Sequence, residues 1–355
     1  MTTTQTEPAS DTPSRPRQPA SGDILYLNRR DVRTAMGPSI RGYVEALRSG
    51  LALHAEGKTA QPLKPYLRWR RRGHIADRII AMPGYVGGPN EMAGIKWIGS
   101  KHDNPTVRDI PRASAVIVLN DPETHFPVAI MEGGEISGMR TAGVTVLACE
   151  YLARPRFQTV TLVGCGFIGR LHALGLIESF PAIERLYLYD HNRRAARALG
   201  EELEQLGREG LSVTVCETAE EAVCRGEVVV PCTVTARPYI ELDWLMPGVF
   251  VSNISIMDVK PDVYLGVDKL LVDDWEQANR ERKTINQLVL AGRLKQTDLH
   301  AELGDVVRGH KPGREGPDER ILLNPMGMAI EDVACAAAVY RTAREQGTGT
   351  WLTLA

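Results

Sequence analysis

The sequence predicts an α/β chain in which a doubly wound parallel sheet is inserted into a second, mixed α+β unit, and three observations predict it. Residues 159 to 190 read without interruption as a buried strand, the turn Gly164-Cys165-Gly166-Phe167-Ile168-Gly169, a helix, and a second strand ending on Asp190. Beyond Asp190, helical and apolar stretches alternate through Val228–Cys232, Val249–Ile254 and Leu270–Val272, the pattern of parallel strands covered on both faces. Before residue 154 the texture is different. Short strands at Tyr66–Trp69, Ile75–Met82, Ala93–Ile98 and Ala113–Leu119 are broken by Pro, Gly and Asn.

Each element follows from its residues. Met1–Gly22 is rich in Thr, Ser, Pro and Gln and is expected to be a disordered tail. Asp31–Glu56 reads as helical, with Val44, Leu47 and Leu51 among its apolar positions. Asn120-Asp-Pro-Glu-Thr124 is a turn between two apolar runs and predicts a hairpin, followed by a helix over Ser137–Ala153. From about Leu288 the chain is read as helical and polar, and Ile330–Arg344 as an amphipathic helix returning to the first unit. The expected domains are therefore 23–153 with 320–355 for the substrate, and 154–319 for a Rossmann dinucleotide-binding domain.

The spacing of the glycine turn has a physical reading. Gly164 permits the tight turn, Gly166 leaves room for a pyrophosphate, and Gly169 lets helix and strand pack closely. Phe167 and Ile168 open the helix, whose free N–H groups and positive dipole end attract phosphate. Asp190 lies about 20 residues on, where a carboxylate accepts from ribose hydroxyls and repels a 2′-phosphate. NAD is therefore favoured over NADP, and the nearby Arg193 and Arg194 keep NADP open.

Composition narrows the function classes. With 355 residues, 43% hydrophobic, 24% charged and a net charge of -2, the chain is an ordinary globular one with no bias toward nucleic acid or an anionic membrane. Its basic run, Arg68-Trp69-Arg70-Arg71-Arg72, reads as a solvated strand end or hairpin tip. The six cysteines form no C-x-x-C pair and no spacing with histidine that suggests a metal, and they suit a reducing cytoplasm. No apolar run approaches the roughly 18 residues of a membrane span.

Three charged residues stand where chemistry would need them. Lys96 sits in Ala93-Gly-Ile-Lys-Trp-Ile98, an otherwise apolar strand, and Arg140 sits in the helix that leads to the dinucleotide unit. A cation there either snorkels at the end of its element or meets an anion, and arginine's fork matches a carboxylate. Asp258 follows a strand of the nucleotide unit, so its loop lies at the carboxyl end of the sheet, where a general base would be useful. A solvated loop aspartate is the other reading.

At this point the residues resemble the ornithine cyclodeaminase/μ-crystallin family over nearly all of Ile24 to Leu354. The motifs are Gly94-Ile-Lys-Trp97, Arg140-Thr-Ala142, the glycine turn, Ala301-Glu-Leu-Gly304, Pro312-Gly-Arg-Glu315 and Gly327-Met-Ala-Ile-Glu-Asp332. Within the family, Gln61–Arg68, Met82–Gly88, Ile110–Ala115 and Ser255–Asp262 resemble the branch of dehydrogenases that act on N-(2-amino-2-carboxyethyl)-L-glutamate. That branch supplies 2,3-diaminopropionate for siderophores and peptide antibiotics.

The resemblance implies NAD-dependent oxidation of a Cα–N bond to an imine, then hydrolysis to 2-oxoglutarate and 2,3-diaminopropionate. It implies Asp258 and Lys96 as catalytic, and Arg140 with Lys64 or Arg68 as further substrate cations. Thr141, Ala142, Thr233, Ser255 and Lys260 would line the cofactor. It also implies a homodimer formed through the β unit. The chain departs from the branch at Val272–Asn279, Pro325-Met-Gly-Met328 and Lys101–Asn104, which leaves a related amino acid conjugate open as substrate. Ornithine cyclodeamination, imine reduction and non-catalytic nucleotide binding are the alternatives.

Overall fold

The structure is a computed structural model that describes residues 20, 22–69, 74, 76–255, 257–281 and 283–355. Most of the tail expected over Met1–Gly22, together with Arg70–Arg72 and Ile75, lies outside the described residues.

Two eight-stranded sheets carry the chain. The first contains β1 (Asp23–Leu27), β2 (Thr59–Ala60), β3 (Tyr66–Leu67), β4 (Arg78–Val86), β5 (Met92–Ser100), β6 (Ala113–Asn120) and β7 (Pro127–Glu132), with Thr350–Thr353 from the end of the chain added beside β1. Its pairings are antiparallel except for β1 with β7. The expected hairpin is β6 and β7, and Asp121 holds its turn by accepting from Thr124 N and Oγ1. Along β6 the burial alternates, with Ala115, Ile117 and Leu119 inside and Val116 exposed, so one face of this sheet is covered.

The cover is helical. Arg41–Ala55, Gly133–Leu152 and Ala329–Gln346 pack on the sheet and on one another. The single helical stretch expected over Asp31–Glu56 is two helices, Arg29–Met36 and Arg41–Ala55, because Gly37-Pro38 interrupts it and Asn28 caps the first. Gly133–Leu152 is buried on nearly every side because it also packs against Phe167–Ser179 of the second unit. Gly138 permits that approach: a Cβ there would come 2.6 Å from Leu171 Cδ1 and Phe167 Cε1. Ala329–Gln346 was expected to be amphipathic and instead buries most of its length in the first domain.

The second sheet contains β8 (Thr159–Val163), β9 (Arg185–Tyr189), β10 (Ser212–Val215), β11 (Val228–Pro231), β12 (Phe250–Ser252), β13 (Lys269–Val272), β14 (Ala301–Glu302) and β15 (Ile321–Asn324), which makes Thr350–Thr353 β16. Its order is β10-β9-β8-β11-β12-β15-β13-β14 and every pair is parallel. β8, β11 and β15 are wholly buried, as strands under helices on both faces must be. The chain runs from β8 outward to β10, then returns to start β11 on the other side. The topological switch point therefore lies between β8 and β11.

One boundary moves. The stretch after Leu288 is not simply helical: β14 and β15 interrupt it, and β15 lies between β12 and β13. The parallel sheet thus continues to Asn324, past the expected limit at 319. The run Ile321-Leu-Leu-Asn324 is too short to show a period, and periodicity cannot separate a buried strand from a helical segment at that length.

Candidate active site

The glycine turn follows β8 at the switch point. Gly164 has φ +101, and a Cβ there would lie 3.0 Å from the carbonyl carbon of Cys232 at the end of β11. At Gly169 a Cβ would lie 2.0 Å from Gly164 O. Gly166 faces open space with nothing within 4 Å, so it leaves a gap at the start of Phe167–Ser179, a helix without a side-chain cap. Phe167 is exposed and Ile168 half-buried on that first turn. Asp190 braces the turn: its carboxylate accepts from Cys165 N and Asn192 N, each at 2.8 Å, and keeps lone pairs for further donors. Arg193 pairs with Glu217.

A second group lies beneath the first sheet. Lys96 points inward from β5, paired with Asp332 Oδ2 at 2.5 Å and donating to Ser137 Oγ at 3.1 Å. Arg140 donates from Nε to Asp332 Oδ1 at 3.0 Å and from Nη1 to Glu331 Oε2 at 2.8 Å. Lys64 donates to the carbonyls of Met326 and Gly327 at 3.0 and 2.7 Å, while Asp273 accepts from the amides of the same two residues. Gly327, at φ +71, lets the main chain approach: a Cβ there would lie 2.7 Å from Arg140 Nη1.

Burial governs the protonation of this group. It lowers Lys64 and Lys96 to about 8, with Asp273 and Asp332 respectively opposing the fall. Glu331 is raised to about 7 by burial, against the pull of Arg140. Three cations thus meet Asp273, Glu331 and Asp332, acids that the motif reading did not single out. The signal was present in Gly327-Met-Ala-Ile-Glu-Asp332, which puts two acids in the first turn of a buried helix.

The third group surrounds Asp258, which is fully buried. Its Oδ1 accepts from Thr233 Oγ1 and Tyr239 Oη, both at 2.6 Å, and its Oδ2 is buried without a hydrogen-bond partner. Burial raises its pKa, and hydrogen bonds from Ser255, Thr233 and Tyr239 resist the rise. The loop is held from below. Ser255 Oγ donates to Asn253 Oδ1 and accepts from Asp258 N, while Asn253, Tyr264 and Asn324 form a closed buried network. Tyr239 and these asparagines escaped the sequence reading because loop residues distant in sequence carry no periodic signal.

The structure therefore gathers Lys64, Lys96 and Arg140 in one cluster and Thr233, Ser255 and Asp258 in another, with Cys232-Thr233 abutting the glycine turn. Thr141 donates back to Ser137 O beside Arg140, and Ala142 is buried on the same helix. Two residues stand elsewhere. Arg68 is exposed, pairs with Glu281 at 2.7 Å and lies 4.8 Å over the Tyr66 ring. Lys260 pairs with Glu241 at a half-exposed position. Among the described residues no hydrogen bond or ion pair joins Asp258 to Lys96 or Arg140. One group outside these clusters, His74, Asp77 and His102, brings metal-ligating atoms within 4.8 Å of one another, but Lys101 already occupies Asp77 at 2.8 Å.

The profile of the ornithine cyclodeaminase/mu-crystallin family matches residues 24–347. The chain belongs to this family. It is 53% identical to the N-((2S)-2-amino-2-carboxyethyl)-L-glutamate dehydrogenase of Staphylococcus aureus, over 94% of this chain and 99% of the relative. Among solved structures of similar fold, the Thermococcus litoralis Delta(1)-pyrroline-2-carboxylate reductase in complex with NADH and L-proline has a TM-score of 0.84 at 28% identity, covering 92% of this chain and 99% of that one. An archaeal alanine dehydrogenase dimer with bound NAD has a TM-score of 0.83 at 30% identity, covering 93% and 99%. For a member of the ornithine cyclodeaminase/mu-crystallin family, the buried Lys96 and Arg140 and the glycine turn at the switch point are the features on which a functional reading must rest.

Proposed function

We propose that this protein is an NAD-dependent dehydrogenase that oxidises the glutamate Cα–N bond of N-(2-amino-2-carboxyethyl)-L-glutamate, after which water releases 2-oxoglutarate and 2,3-diaminopropionate. The observation that carries the reading is the meeting of Lys64, Lys96 and Arg140 as buried cations in a chain with a glycine turn at its switch point. The 53% identity to the Staphylococcus aureus dehydrogenase supports the substrate.

The residues fit the dinucleotide. Gly166 leaves the space a pyrophosphate needs, the helix from Phe167 offers uncapped N–H groups, and Asp190 disfavours a 2′-phosphate. Thr233 and Ser255 line the same end of the sheet. When bound, NAD supplies the hydride acceptor for the carbon that carries the amine.

The chain's own residues do the rest. Lys96 and Arg140, with Lys64, hold a substrate carboxylate in a site where water does not screen them. Asp258 takes a proton, first from the amine and then from the water that adds to the imine. Its Oδ1 is fixed by two hydroxyls, and its unpartnered Oδ2 is the oxygen left to act. Overall one substrate, one NAD⁺ and one water give 2-oxoglutarate, 2,3-diaminopropionate, NADH and a proton.

The reading extends to assembly and place. A homodimer through the first sheet is supported by the apolar outer face of β5, β6, β7 and β1, and the archaeal alanine dehydrogenase relative is a dimer. Six cysteines without a disulfide support a cytoplasmic location, and no helix of the described residues is long and apolar enough to cross a membrane. The product suits supply of 2,3-diaminopropionate to siderophore or antibiotic assembly. Purified protein with NAD and the conjugate should form NADH and 2-oxoglutarate in equal amounts. Absence of turnover with this and related conjugates, or 2-oxoglutarate release without net NADH, would remove the reading.

A further inference from the structure

Basic residues that neither the glycine turn nor the Lys96 cluster uses converge on one aromatic ring. The guanidinium carbons of Arg68, Arg280 and Arg78 lie 4.8, 5.8 and 5.9 Å from the centroid of Tyr66 on β3. They come from three separate stretches of chain: the residue just after β3, the loop after Trp275–Ala278, and the first residue of β4. Lys283, buried just beyond Arg280, is pushed well below its ordinary pKa by burial and then by the charges of Lys64 and Arg78. Arg112 stands close enough to Arg78 to act on it in the same sense.

Among the described residues few acids answer Arg280 and Lys283. Glu281 pairs with Arg68, and Asp273 is already engaged by two backbone amides. Arg280 Nη1 is buried with no hydrogen-bond partner, and Lys283 makes no side-chain hydrogen bond to the helix that it caps. This contrasts with the Lys96 cluster, where three cations meet three acids. Glu281 itself has φ +62, a left-handed conformation that a residue with a side chain seldom adopts outside constrained sites. A surplus of desolvated positive charge held by a strained loop calls for an anion from outside. The surplus adjoins the first carboxylate site, because Lys64 acts on Arg140 on one side and on Lys283 on the other.

We propose that Arg280 and Lys283 form a second carboxylate subsite that selects substrates bearing more than one carboxylate. The identity of the occupant rests on the dehydrogenase reading above: N-(2-amino-2-carboxyethyl)-L-glutamate carries three carboxylates, one for the Lys96 cluster and two beyond it. The planar fork of Arg280 suits bidentate binding, and Lys283 supplies a point charge beside it. A substrate with a single carboxylate would leave Arg280 and Lys283 without a matching anion.

The test uses the full chain with NAD and the variants Arg280→Gln and Lys283→Met. Each should raise KM for the conjugate roughly ten- to hundredfold while kcat changes little, since a charged hydrogen bond is lost in ground and transition state alike. Propane-1,2,3-tricarboxylate should compete with the conjugate in the native enzyme far better than acetate, and should lose that advantage in both variants. Without ligand both variants should melt at or above the native temperature, because a repelling charge has been removed. A purely structural role predicts a lower one. Lys283→Arg should restore most of the affinity. An unchanged KM in both variants overturns the subsite and leaves the dehydrogenase reading standing. Should the native enzyme fail to oxidise the conjugate, thermal stabilisation by the tricarboxylate that both variants lose still supports the subsite, and its absence overturns it.

Discussion

In the proposed reaction Asp258 would be the base and Lys96 a carboxylate anchor, and their burial would set the pH range in which both are in the needed form. Burial raises Asp258 above its ordinary range and lowers Lys96 and Lys64 to about 8. The base must be ionised and the lysines protonated, so kcat/KM should fall on the acid side as Asp258 gains its proton and on the alkaline side above about 8. Lys96→Arg should move the alkaline limb upward, because guanidinium stays charged, and an unmoved limb would assign it to another group. The same shifts have a stability consequence with a definite sign. Below about 8 the folded and unfolded chains both keep the Lys64 proton; between about 8 and the ordinary 10.5 the folded chain gives it up first, so stability rises with pH through that window. The melting temperature of Lys64→Met relative to the native protein should therefore decline across the same window. Asp258→Asn should lower kcat by about 10²- to 10⁴-fold with cofactor affinity retained in calorimetry. A variant that kept a tenth of native kcat would exclude Asp258 as the base.

At the level of elements, the glycine turn separates folding from binding within six residues. Gly166 sits in extended backbone with nothing within 4 Å, so Gly166→Ala should fold and melt normally while its methyl group intrudes on the pyrophosphate. At Gly169 the added carbon would lie 2.0 Å from Gly164 O, a backbone atom, so Gly169→Ala should destabilise by about 1–3 kcal/mol before binding is considered. Thermal unfolding beside NAD titration tells the two apart, and equal loss of melting temperature in both would refute the assignment. This turn was legible in the sequence because each glycine answers a local need. Lys96 and Arg140 were legible too, as charges on apolar elements. The acids that hold them, Glu331 and Asp332, were not, because their partners are remote in sequence. β15 was hidden for a related reason: its three apolar residues and Asn324 acquire strand identity only from β12 and β13 on either side. The cations around Tyr66 come from positions more than 200 residues apart and no motif links them.

Across the whole molecule the two faces of the first sheet have different fates, and β5 joins them. Lys96 points into the helical layer, while its neighbour Trp97 is 44% exposed on the opposite face. The register carries that outer face across four strands: Trp97 pairs with Val116, Ile95 with Val118, Val118 with Ile130, and Ile130 with Tyr26. A contiguous apolar band of this kind on an uncovered sheet is a surface that water alone covers poorly, and in the proposed dimer a second copy of the chain would supply the matching band through a twofold axis. The double variant Trp97→Glu, Val116→Lys should therefore sediment as a monomer, whereas the native protein should sediment as a dimer. The consequence should reach the site, because β5 then loses support on the face behind Lys96. KM for the conjugate should rise, while NAD affinity should hold, since the glycine turn belongs to the other sheet. A double variant that sediments like the native protein would exclude this face as the interface. One that is monomeric with native KM would show that the anchor of the carboxylate is fixed by the Asp332 pair and the helical layer without help from the partner.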